Sequence, residues 1–129
     1  MSLDVSPVLL DQARAGEIDD AAFVATVQDS LPYAYKLIDS LVGGLHARGA
    51  DFADNQVPPP SEAKRGQLLR ALASDAIRGS LERHFGVRLA FQNCHRIAVF
   101  AADADESAYQ RFTSTRAQIL NQSPELRDC

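Results

Sequence analysis

The sequence predicts an α+β domain, mainly helical, with four or five helices and one β-hairpin near residues 87–100. Three observations carry this expectation. Over most of the chain apolar residues recur every three or four positions, the spacing of a buried helix face. One segment breaks that rhythm: Val87, Leu89 and Phe91, then Ile97 and Val99, alternate with Arg88, Ala90, Arg96 and Ala98 around a polar turn, which is the period of strands. The balance of 46% hydrophobic and 23% charged residues over 129 positions suits one domain, 1–129, large enough to bury its core without a disulfide or a metal.

The elements follow in order. Ser6-Pro7 pairs a capping hydroxyl with proline at the first helical position and opens a short helix, about 7–15, that Gly16 stops. Asp19-Asp20 places negative charge at the start of the next helix. Phe23, Val27, Leu31, Ala34, Ile38, Leu41 and Leu45 then form one apolar seam, close to that of a coiled coil. Pro32 interrupts it and predicts a kink or two helices, about 20–29 and 31–47, the second capped by Asp29 or Ser30. Residues 49–61 read as an extended linker, since Pro58-Pro59-Pro60 favours polyproline II geometry. Ser61 caps a helix over about 62–85 that is apolar around most of its circumference and is therefore expected at the centre of the core, with Leu72, Ile77 and Leu81 buried. After the hairpin, Asp103 or Asp105 caps a last helix over about 105–121. A lone hairpin is marginal in water, so it must pack on helices or pair across a dimer axis.

Charge is unevenly spread. Residues 1–62 carry ten acids against three bases, a net −7, whereas residues 63–100 carry seven bases against Asp75 and Glu82, a net +5. The middle segment either binds an anion or neutralises the acidic half, within a chain or between subunits. The net charge of −4 argues against nucleic acid as the partner. No charged leader followed by an apolar run and no stretch of spanning length is present, and Cys94 and Cys129 make no disulfide framework. The expectation is a cytoplasmic protein, and eleven arginines against two lysines suggest a GC-rich bacterial coding bias.

Four groups of residues are candidates for chemistry. Cys94-His95, with Arg96 beside them, could form an activated thiolate, although neighbours on a strand point to opposite faces. A metal would have to draw on His46, His84, Cys94 and His95, which show no metal-ligand spacing, so none is expected. Arg78, Arg83, Arg88 and Arg96 could hold a phosphate or carboxylate, with Arg88 and Arg96 on one solvent face of the hairpin. Tyr33 and Tyr35, just after Pro32, could line a pocket with polar hydroxyls. No Gly-rich phosphate loop, Ser-His-Asp set or catalytic carboxylate pair stands out, so no cofactor is expected.

The reading that results is a non-enzymatic interaction or regulatory protein, a homodimer through the seam or the hairpin edge, acting on a protein or small-anion partner. One alternative is a small enzyme with a pocket around Cys94, His95, Arg96 and Tyr35. The other is a nucleic-acid or phosphate binder using residues 63–100.

Overall fold

A computed structural model describes residues 3–93 and 96–120, and among them it places seven helices and a three-stranded antiparallel sheet. The class is α+β, but the four or five helices and lone hairpin of the sequence reading are corrected to seven helices and three strands. The order is α1 (Pro7–Ala15), α2 (Asp20–Ser30), α3 (Pro32–Arg48), β1 (Phe52–Asp54), α4 (Glu62–Ala73), α5 (Asp75–Phe85), β2 (Val87–Asn93), β3 (Arg96–Ala101), α6 (Glu106–Phe112) and α7 (Thr115–Leu120).

Serines account for the two extra helices. The expected helix over 62–85 breaks at Ser74, whose backbone is extended and whose hydroxyl accepts the Ile77 N–H, so one residue ends α4 and caps α5. Arg78 fixes the corner by donating from Nη1 to the Leu72 carbonyl at 2.9 Å and from Nη2 to Asp75 at 2.6 Å. The broad apolar circumference read from the sequence is thus two narrower stripes, Leu68, Ala71 and Leu72 on α4 and Ile77 and Leu81 on α5. The last helix breaks in the same way: the Thr113 hydroxyl donates back to the Tyr109 carbonyl, and Ser114 Oγ accepts the Ala117 N–H to restart the chain as α7.

Pro32 separates α2 from α3 through Leu31, which has non-helical backbone. Neither Asp29 nor Ser30 caps α3. Gln67 of α4 does so from a distance, its Oε1 accepting the N–H groups of Tyr33 at 2.7 Å and Ala34 at 3.2 Å. The seam that resembled a coiled coil lies inside the molecule: Val27, Leu31, Ala34, Ile38 and Leu45 are buried, and Phe23 and Leu41 pack against them.

The third strand comes from the expected linker. Phe52, Ala53 and Asp54 pair with Phe100, Val99 and Ala98, which makes β3 the central strand in the order β1-β3-β2. Ala53, Leu89, Ile97 and Val99 face the main core with α2–α5. Ala90, Ala98 and Phe100 face the other way, onto Phe112 of α6, with Tyr109 alongside. The sheet is therefore a middle layer, and the hairpin face expected in solvent is partly covered. No helix among the described residues is long and apolar enough to cross a membrane.

Asn55 extends this short β1. Its backbone N–H donates to the Ile97 carbonyl, and its side-chain Oδ1 accepts the Ile97 N–H at 2.9 Å, both next to a fully buried residue. Asn55→Ala leaves that N–H buried without its acceptor, so a loss of about 1–3 kcal/mol is expected in urea denaturation. An unchanged midpoint would mean that β1 docks without the side-chain link.

Candidate functional site

Each arginine named from the sequence is placed against an acid. Arg83 of α5 grips Asp20 at the start of α2 with two hydrogen bonds, Nε to Oδ2 at 2.9 Å and Nη2 to Oδ1 at 3.0 Å. Arg78 bonds Asp75. Arg88 of β2 bonds Glu106 of α6 at 2.6 Å and lies 3.4 Å from the centre of the Tyr109 ring. Arg96 of β3 bonds Asp54 of β1 at 2.6 Å, and that carboxylate is only 11% exposed. Arg83–Asp20 and Arg96–Asp54 join the basic segment to the acidic half within one chain.

The Arg83 hydrogen bond holds the Asp20 carboxyl below its ordinary value of 3.8. A folded-state value below the unfolded one contributes stability above the ordinary carboxylate range, lost as pH falls through the folded value. Asp20→Asn should therefore be less stable than the parent at pH 7 and equal to it near pH 2. Because the pair is exposed, the gap should also shrink in high salt. Thermal melts at the two pH values check this; an equal gap at both would assign the effect to something other than the ion pair.

The tyrosines are placed on the helical side. Lys64 lies 5.5 Å over the Tyr33 ring, and Tyr35 Oη is 3.2 Å from His84 Nε2 with the Phe85 ring beside it. Burial pushes both phenols above their ordinary value. Arg96 shares the opposite face of the sheet with Ala98 and Asp54, so Tyr35 and Arg96 do not meet in one pocket. Cys94 and His95 lie outside the described residues, as does Cys129. No group of three or more His, Cys, Asp or Glu side chains able to hold a metal occurs among the described residues.

Two hollows flank β2. One, of about 530 Å³, runs along its outer edge between Arg78 and Glu82 of α5 and Tyr109 of α6 with Thr113 just after it. Its edge is already engaged, because Glu82 Oε2 accepts the Leu89 N–H at 2.8 Å in place of a neighbouring strand. The other, of about 560 Å³, lies between the far end of the hairpin and the last two helices, lined by Gln92, Arg96, Arg111, Ser114, Arg116, Ala117 and Leu120. Gln92 Nε2 donates to the Phe112 carbonyl at 2.9 Å, which ties the hairpin end to α6. Among the described residues, three guanidinium groups line this second hollow and no carboxylate does. Among the described residues, only Arg96 of the three has an acid at ion-pair distance, although Asp105 still feels Arg111.

Arg111 and Arg116 carry no sequence signal that marks them as site residues. They fall after the basic segment, in a stretch 101–129 whose acids outnumber its bases by five to three. The break at Thr113-Ser114 puts them on separate helices, α6 and α7, and both line one hollow with Arg96.

The geometry defines a three-layer α+β domain with a cationic hollow on the sheet face opposite the main helical core. The whole chain, residues 1–129, matches the family described as NucS shadow ORF, in a model that carries the label KH, and the protein belongs to that family. No curated protein and no solved structure matches it.

Proposed function

We propose that this is a non-enzymatic interaction protein of a bacterial cytoplasm that takes an anionic partner in the hollow formed by Arg96, Arg111 and Arg116. The observation that carries the reading is the contrast in charge pairing. Arg78, Arg83 and Arg88 are each spent on an internal acid, while three guanidiniums line one cavity and, among the described residues, only Arg96 of these three has an acid, Asp54, at ion-pair distance. Guanidinium forks held on separate elements suit the paired oxygens of a phosphate or carboxylate.

A nucleic-acid reading is less well supported. The KH label belongs to a class of modules that clamp four nucleotides with a Gly-x-x-Gly loop. No two of the seven glycines here stand three residues apart, and the helix junction Ala73-Ser74-Asp75 carries an acid. The −7 charge of residues 1–62 would also repel a polyanion lying across the surface.

The homodimer loses its first motive, because the helical seam is core. Its second motive, the hairpin edge, is met at Leu89 by Glu82, and α1 offers an exposed apolar surface in Val8, 68% exposed, and Leu10, 42%. Calorimetric titration with inorganic phosphate and acetate at low salt tests the anion reading. Binding that weakens in Arg111→Gln and Arg116→Gln supports it; no heat from either anion up to about 10 mM, weaker than the millimolar limit of useful affinity, would overturn it.

A further inference from the structure

We infer that the hollow at Arg96, Arg111 and Arg116 is built for a phosphate monoester carried on a small apolar or aromatic body; the inference rests on the anion-binding reading above and names its ligand. Charge comes first. Among the described residues, three guanidiniums line the hollow and Asp54 is the one carboxylate at ion-pair distance from them, a charge of +2. A phosphate monoester carries about −1.5 to −2 at pH 7 and matches it, whereas a carboxylate leaves one positive charge without an opposite.

Direction comes second. Arg96 comes to the hollow from the sheet, and Arg111 and Arg116 from two successive helices, so its cations are supplied by three separate elements. A terminal phosphate, with three oxygens spread around one phosphorus, can accept from several sides at once. A phosphodiester in a polymer carries a single charge and is bonded on two sides.

Shape comes third. Ala117 and Leu120 line the same hollow, and Leu120 is 58% exposed. An inorganic phosphate would leave that wall in water. A ligand with an apolar or ring portion would cover it, and a volume of about 560 Å³ has room for both parts.

Titration calorimetry of the full chain with phenyl phosphate, inorganic phosphate and benzoate tests the assignment. Phenyl phosphate should bind about tenfold or more tightly than benzoate, as expected for additional charge-assisted hydrogen bonds. It should also bind several-fold more tightly than inorganic phosphate. Arg116→Gln and Arg111→Gln should each weaken phenyl phosphate about tenfold, and Arg116→Lys should not restore it fully, because an ammonium lacks the fork. Both arginines are exposed, so an unchanged melting curve confirms that these variants fold. Leu120→Ser should remove the preference over inorganic phosphate and leave inorganic phosphate itself unaffected. Benzoate binding as tightly as phenyl phosphate would overturn the phosphate assignment while leaving the anion reading intact. Equal affinity for phenyl and inorganic phosphate would overturn the apolar body. Failure of all three probes to bind would overturn the inference together with the reading beneath it.

Discussion

Ile38→Asp is expected to abolish the cooperative fold. Ile38 sits at the middle of α3, fully buried, in a cluster that draws side chains from α2, α3, α4, α5 and the sheet. An aspartate there must either stay ionised without water or a partner, or take up a proton and still bury a carboxyl group. Each alternative costs several kcal/mol against a total stability of about 5–15 kcal/mol. The same substitution separates two architectures that the sequence leaves open. If the seam were the contact between two chains, Ile38→Asp would give a folded monomer with an intact melting transition and half the mass. With the seam inside one chain, it gives a polypeptide without a transition. Circular dichroism melts and light scattering on the same samples decide between them, and a sharp transition near the parent midpoint would overturn the placement of α3.

The helices were largely legible because their signals are local. Ser6, Asp19, Ser61 and Asp105 each cap the helix whose start they marked, with the side-chain oxygen accepting the expected N–H. Ser74 and Ser114 cap as well, but each lies inside a stretch that the sequence reading takes as one continuous helix. The corner at Ser74 depends on Arg78 reaching the Leu72 carbonyl, a contact made only once the turn exists. Likewise α3 is capped by Gln67, thirty-four residues away from Tyr33.

The sheet and the site share one blind spot. Phe52-Ala53-Asp54 is too short to show alternation, and it becomes a strand because β3 offers an edge and Asn55 adds a side-chain rung. Arg88 and Arg96 do share a sheet face, as the alternation of the hairpin implied, but with Ala90, Ala98 and Phe100 between them covered by Phe112. That cover turns an open arginine face into two separate ion pairs, with Glu106 and with Asp54. Charge counted along the chain pointed to residues 63–100; charge counted in space points to one arginine of that segment and two beyond it. The difference arises because neutralisation acts over a few ångströms and is indifferent to sequence separation.

Leu72→Ala should cost about 2–5 kcal/mol, toward the upper part of that range. Leu72 is 1% exposed in the last turn of α4, where α4 and α5 meet above the sheet. How much a truncation costs depends on how far the surroundings can close over the missing atoms. Here they are held. The Leu72 carbonyl is bonded by Arg78, and the Ser74 cap fixes the backbone two residues on. Ile77 and Leu81, both buried in the same cluster, belong to a helix that cannot shift inward without breaking that corner. Leu69→Ala supplies the internal control, since Leu69 lies on the same helix but is 49% exposed. The loss of its side chain should stay within about 0.5 kcal/mol. Urea denaturation of the two variants with a common slope would give the comparison directly. Equal and small losses would mean that the α4–α5 corner collapses freely, in which case Arg78 pins nothing and its bond to Leu72 is incidental.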